Sequence, residues 1–197
     1  GTSDDAPTAG GPREVRIEYE GALETDLPEG DVASMDAFMK DNAEAVCIQG
    51  VERVEPKPGE DPSVKYVYLE PIDVGPVRTQ MRMVMQVVPE AQEADVKILE
   101  MWVGIVDKST GAVAYKPETK LTFETRNVVL WKGSGTGGLK VVNKSTATAS
   151  FCLPWWFPMP DVFVKRVAEF FLGRVSSNGQ KAVNKQIENQ YAEWMTK

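Results

Sequence analysis

The last third of the chain carries an amphipathic stripe that no other helical segment in the sequence is long enough to cover. From Asp161 onward, Phe163, Val167, Phe170, Phe171, Val175, Ala182, Val183, Ile187, Tyr191 and Trp194 recur in steps of three and four, the period of one helix face. The spacing predicts a helix of about 36 residues, roughly 50 Å long at 1.5 Å per residue. Pro160 suits its first turn, where a missing N–H costs nothing, and the Asp161 carboxylate complements the dipole there. A stripe of that length has to be buried. The segments before it read mostly as strands, so a curved sheet is the partner available.

The strand reading rests on alternation. In "REVRIEYEGALE", Val15, Ile17 and Tyr19 alternate with Arg16, Glu18 and Glu20, the period of a half-buried strand. A short helix follows, with Asp31 or Ser34 as its cap and Met35, Phe38 and Met39 at helical spacing. Beyond the loop "PKPGEDP", five segments carry strand character: 63–71, 77–88, 96–107, 119–131 and 139–153. The alternation is clearest in "QMRMVMQV", where Met81, Met83, Met85 and Val87 share one face. Turn chemistry at "DKSTGA" and "GSGTGG" separates neighbours. The expected fold is α+β: a curved antiparallel sheet of about six or seven strands wrapped around a long C-terminal helix, with a short helix after strand 1.

Composition removes several classes of function. The chain has 197 residues, of which 29 are acidic and 22 basic, for a formal charge of -7. That balance provides no footprint for a phosphate backbone, so nucleic acid is not an expected partner. No apolar run approaches the roughly 20 residues that span a bilayer, so any membrane contact is peripheral. There is no histidine, which removes Ser-His-Asp and Cys-His catalysis and the commonest zinc and haem ligation. No catalytic residue and no metal ligand is assigned. Cys47 and Cys152 sit in apolar surroundings without ligand spacing and read as buried free thiols. Residues 1–12, "GTSDDAPTAGGP", are acidic and turn-rich and read as a disordered tail; residues 13–197 form the expected single folded unit.

The order of elements, together with "FMKDNAEAVCIQGVERVEP", "LEPIDVGPVRTQMRMVMQV" and a hydrophobic-proline hinge before a helix ending "YAEWM", resembles the helix-grip fold of the START-related, polyketide-cyclase-like superfamily. Within it, these stretches resemble a branch of uncharacterised cyanobacterial and plastid proteins. The resemblance spans residues 13–197 and includes Pro71, Pro154, Phe157, Pro160, Tyr191 and Trp194. It implies a chamber between sheet and helix, a START-like domain, a photosynthetic lineage with plastid localisation, and no established enzyme activity. The paired Trp155 and Trp156 depart from the branch, which carries one aromatic or none at that point.

Four features carry the functional expectations. The first is the row Met81, Met83 and Met85, taken together with Ala147, Ala149 and Phe151 of the last strand and Phe163, Val167 and Phe170 of the helix as candidates to line a chamber. It is either a wall of a ligand chamber, since thioethers adapt to irregular apolar shapes, or ordinary core. The second is the hinge "LPWWFPMP": Trp155, Trp156 and Phe157 either plug the chamber or contact a partner or membrane, with one tryptophan buried and one exposed. The third, "GSGTGG", matches G-x-G-x-x-G, but a strand pattern follows it where dinucleotide binding needs a helix, so it reads as a hairpin loop. The fourth is Gly173 and Gly179 inside the helix, fitting close packing on the sheet, a break near "SSNGQ", or admission of a ligand. The carboxylate pairs Glu18–Glu20 and Glu118–Glu124 are expected to face solvent.

The leading expectation is a non-catalytic domain that binds or shields an apolar ligand, a lipid or a pigment, in a photosynthetic setting. The alternative is a peripheral subunit or assembly factor of a photosynthetic membrane complex, docking through the tryptophan hinge. A small-molecule cyclase or hydratase is the third.

Overall fold

The computed structural model describes residues 13–74, 77–153 and 160–197. Its elements are β1 (Arg13–Leu27), α1 (Val32–Cys47), β2 (Arg53–Pro56), β3 (Val64–Tyr68), β4 (Ile72–Val74), β5 (Val77–Glu90), β6 (Glu93–Val106), β7 (Val113–Lys120), β8 (Thr122–Gly133), β9 (Leu139–Leu153) and α2 (Asp161–Met195). One antiparallel sheet of nine strands runs β1-β9-β8-β6-β5-β3-β2, with β4 paired to β5 and β7 paired to β6. The fold is α+β, a helix grip. Sequence alternation missed the three short strands β2, β4 and β7. β2 is exposed along its whole length, β4 has three residues and β7 contains Pro117, so none carries a buried apolar row to be read.

The first strand pairs with the last over their full length, from Arg13 opposite Leu153 to Leu27 opposite Leu139. Odd-numbered residues of β1 face the helices and the even-numbered ones face solvent, as a pleat requires. The same parity corrects the reading of Cys152. Phe151 and Leu153 point inward, so Cys152 between them is exposed. Cys47, by contrast, is buried, and burial pushes its thiol up to about 12. Both are free.

Helix α1 is a single piece closed by a capping box: Asp31 accepts from the Ser34 N–H at 2.8 Å, and the Asp31 N–H donates to Ser34 Oγ at 3.0 Å. Helix α2 is continuous through 176–180, and Pro160 is its N-cap residue. A Cβ at Gly173 would lie 3.7 Å from the Tyr19 ring, which fits the close-packing account, whereas Gly179 faces open space. "GSGTGG" closes the β8–β9 hairpin, with the Ser134 N–H donating to Gly138 O at 2.8 Å.

The interior falls into two parts. The larger joins α1, the C-terminal half of α2 and β3, β5, β6, β8 and β9 around Met35, Phe38, Met39, Val67, Trp131 and Ile187. Phe38 meets Tyr191 and Trp194 edge-on at 5.4 and 6.0 Å, a favoured aromatic geometry. The Trp131 indole N–H donates to Asp36 Oδ1 at 2.7 Å. The smaller part sits at the other end, where Val164, Ala168 and Leu172 of α2 cover Val15, Ile17 and Leu153.

This division predicts contrasting costs for two phenylalanines. Phe38→Ala removes a fully buried ring and should lower unfolding free energy by about 3–5 kcal/mol, whereas Phe163→Ala, half exposed at 50%, should stay within about 0.5 kcal/mol. Urea denaturation of both variants checks the pair.

Candidate functional site

The space between helix and sheet is shaped by what holds α2 in place. Its seat on β1 is a row spaced by four: Val164, Ala168 and Leu172 in the apolar end, then Gln180 and Asn184. Gln180 is 7% exposed, and its amide donates to the carbonyl oxygens of Gly21 and Asn143, both at 3.1 Å. Its oxygen accepts from Tyr19 Oη at 3.0 Å. Asn184 is 3% exposed and donates to Thr25 Oγ1 at 3.0 Å. The approach is tight: a Cβ at Gly21 would stand 2.2 Å from Tyr19 Oη and 3.2 Å from Gln180 Oε1. A side chain at that point of β1 would displace the Tyr19 phenol from Gln180.

These amides belong to a polar seam between the two apolar clusters. Asn143 and Ser145 of β9 are buried in it, and Ser145 Oγ donates to Asn127 Oδ1 of β8. Thr125 Oγ1 and Asn184 Oδ1 are buried there with no hydrogen-bond partner among the described residues. Burial raises the Tyr19 phenol above its usual range. The seam thus offers neutral amides and hydroxyls, groups that orient a polar end by hydrogen bonding but do not shuttle protons near neutrality.

Beyond the seam the sheet parts. β6 pairs with β8 only from Glu93 to Val96; further along, Trp102–Val106 pairs with β7, while Thr122–Arg126 of β8 pairs with β9 alone. Register places Met81 opposite Val103 and Met83 opposite Met101 on one side of this parting, and Phe123 opposite Ala149 and Thr125 opposite Ala147 on the other. All eight side chains are only half-buried. On the solvent face of the same strands, Glu18, Glu20, Glu124, Arg126, Thr146 and Thr148 line a separate depression of about 530 Å³ that also touches Tyr19, Thr125 and Ala147. The side chain of Glu118 lies outside the described residues.

The sequence-predicted residues therefore do not close one chamber. Met85 is buried in the larger cluster and Met83 packs against it, while Met81 belongs to neither cluster. Ala149 and Phe151 pack against the smaller cluster, and Ala147, half-buried, belongs to neither cluster. Phe163, Val167 and Phe170 are 50, 52 and 70% exposed, because β1 takes the helix row one residue further on. Hydrophobic spacing selected the bulky residues, while the seat uses an alanine and two amides. Trp155, Trp156 and Phe157, with Pro154, lie outside the described residues. The seam was missed for the same reason: its buried polar groups interrupt, rather than extend, an apolar pattern. Gln180 and Asn184 four apart on a helix was the signal available.

No family model matches the chain, and no curated protein does. Several solved structures share its general arrangement. They include an uncharacterized protein from Rhizobium leguminosarum, 10% identical, covering 92% of this chain and 99% of that one at a TM-score of 0.45. Another is the di-domain ARO/CYC StfQ from the steffimycin biosynthetic pathway, 14% identical over 93% of this chain and 53% of that one, TM-score 0.45. A third is Ara h 8.0201, 16% identical over 89% and 99%, TM-score 0.36. The likeness is one of arrangement alone. None of these comparisons distinguishes the cyanobacterial and plastid branch.

The seam makes a measurable contribution. Gln180→Met keeps the side-chain length but leaves Gly21 O, Asn143 O and Tyr19 Oη without their partner, and should cost about 1–3 kcal/mol. Chemical denaturation measures the loss, and amide exchange should quicken around Gly21 and Asn143.

Proposed function

We propose that this protein binds and shields an apolar molecule, a lipid or a pigment, in the opening between α2 and the parted sheet. One observation carries the reading: Met81, Met101, Val103, Phe123 and Ala147 form a half-buried apolar surface on the inner face of the sheet, where α2, seated on β1, does not fully cover them. Such surface gains about 25 cal/mol per Å² when taken out of water. The unpartnered Thr125 Oγ1 beside it fits a ligand with one hydrogen-bonding end. The role is storage or protection and not turnover, because the adjoining polar groups are neutral. A plastid, photosynthetic setting is part of the proposal and rests on the sequence resemblance. Among the described residues, the seam holds amides and hydroxyls and no acid–base pair for the cyclase and hydratase chemistry of the wider superfamily.

The expected outcome is saturable binding of the neutral fluorophore N-phenyl-1-naphthylamine. It should be displaced by a long-chain fatty alcohol and reduced at least tenfold by Ala147→Trp, with the melting temperature held. No saturable binding, or binding indifferent to Ala147→Trp, defeats the reading.

A second reading, peripheral docking on a membrane or a membrane complex, is favoured by one observation: Val162, Phe163, Val167 and Phe170 stand exposed on α2 with the exposed cations Lys165, Arg166 and Arg174 between and after them. Apolar side chains ringed by cations suit an anionic headgroup layer. Trp155, Trp156 and Phe157 extend the same segment in sequence. Co-sedimentation with phosphatidylglycerol vesicles, absent with phosphatidylcholine and lost on replacing Phe163 and Phe170 by Ser, is the result expected. Equal behaviour of the double variant removes it.

A further inference from the structure

The outer face of the sheet, away from both helices, carries an arrangement that neither reading uses. Register aligns five strands so that Arg53, Tyr68, Arg82, Trp102 and Lys120 lie side by side across β2, β3, β5, β6 and β7. Cations and aromatic rings alternate along this row. The Arg53 guanidinium lies 3.9 Å from the Tyr68 ring centre, and the Lys120 ammonium 5.2 Å from that of Trp102. Arg82, in the middle, faces three rings: Tyr115 at 4.2 Å, Tyr66 at 4.8 Å and Trp102 at 5.6 Å.

The three cations differ in their acidic partners. Arg53 is paired with Glu55 at 3.1 Å and Lys120 with Glu100 at 3.5 Å. Glu100 also accepts from the Trp102 indole N–H at 3.0 Å. Arg82 has no ion pair and no hydrogen bond among the described residues, and its Nε is buried. A guanidinium carries five N–H donors in a planar fork, and leaving a buried one unmet is costly. Rings supply charge stabilisation to its face but do not accept the in-plane hydrogens of the fork.

Beside Arg82 is a cavity of about 430 Å³ bounded by Glu52, Arg53, Tyr68, Gln80 and Tyr115. Its polar wall is fixed. Gln80 is 3% exposed and donates to Leu69 O at 3.1 Å and to the Glu52 carboxylate, while its oxygen accepts from Tyr115 Oη at 3.1 Å. Tyr115 can take this position only because residue 104 is glycine: a Cβ there would stand 2.4 Å from Val113 Cγ1 and 2.7 Å from the Tyr115 ring. The site is thus built from a fixed amide, two tyrosines and a guanidinium with an open fork.

We propose that this outer pocket binds an aromatic or conjugated monocarboxylate, its carboxylate on Arg82 and its ring against Tyr68 and Tyr115. A carboxylate matches the fork with two parallel hydrogen bonds. Arg53 is paired with Glu55, and Glu52 in the wall balances Arg82 in net charge, so the pocket offers one guanidinium free of a direct ion pair and no excess of positive charge, which favours a monoanion over phosphate. The site is separate from the apolar opening on the inner face, so the two ligands bind independently.

Isothermal titration with benzoate, cinnamate and indole-3-carboxylate tests the assignment, with inorganic phosphate and benzyl alcohol as comparisons. The expected result is one-to-one saturable binding of at least one carboxylate, weakened at least tenfold by Arg82→Gln and by Tyr115→Ala and unaffected by Ala147→Trp. Arg82→Lys, which keeps the charge and loses the fork, should also weaken it, and it serves in place of Arg82→Gln if that variant does not fold. Absence of saturation by all three carboxylates overturns the proposal, as does undiminished binding in the folded Arg82 variant. Phosphate binding as tightly as the carboxylates overturns the ligand class.

Discussion

The position of α2 depends on two amides that tie it to backbone carbonyls and a hydroxyl of the sheet. Gln180 reaches Gly21 O and Asn143 O, and Asn184, one turn later, reaches Thr25. Four helical residues advance about 6 Å, and two strand residues advance about 6.6 Å, so helix and strand stay in step as both run in the same direction. That match lets a row spaced by four on α2 track odd residues of β1. It also decides what is left over. A helix held along the sheet's first strand cannot also lie across its middle, and the apolar inner face of β5, β6 and β8 is left partly uncovered where the sheet parts.

Most of the architecture was legible because it rests on long periodic segments. The fifteen residues of β1 alternate inward and outward without a slip, and the helix over 161–195 was plain from its steps of three and four. The cap was legible too: Asp31 and Ser34 are the residue types a capping box uses, and both take part in it. What escaped was structure held by something other than apolar periodicity. β2, β4 and β7 are short edge or branch strands whose pairing comes from their neighbours' open backbone and not from their own side chains. The helix phase was misread over 163–170 because Phe163, Val167 and Phe170 outweigh Val164, Ala168 and Leu172 in size, though the smaller set is what fits against Val15 and Ile17. Size favours a residue in a hydrophobic count; close approach to a strand favours the opposite.

The polar layer between the two apolar clusters sets the character of the inner site. Buried amides and hydroxyls contribute little net stability and much geometric definition when fully paired. Here the layer is nearly but not fully paired, with Thr125 Oγ1 and Asn184 Oδ1 left over. The outer face shows the same logic in charged form, where Arg53 and Lys120 have carboxylate partners and Arg82 between them has rings alone. On both faces a polar group is left unmet, and on the outer face it sits beside accessible volume.

The pairing of β1 with β9 has a consequence for how the chain is made. The strand that opens the sheet finds its partner only after more than a hundred further residues have been synthesised, and α2, which lies on that pair, comes later still. Closing so long a loop is entropically slow, and non-local pairing of this kind lengthens folding times. Until then β1 presents an unpaired edge in which Val15, Ile17 and Tyr19 alternate with charges, a template for mispairing with other chains. Glu14, Arg16, Glu18 and Glu20 on its other face are placed to keep that edge soluble during the wait, so the charges that look idle in the finished molecule serve the nascent one.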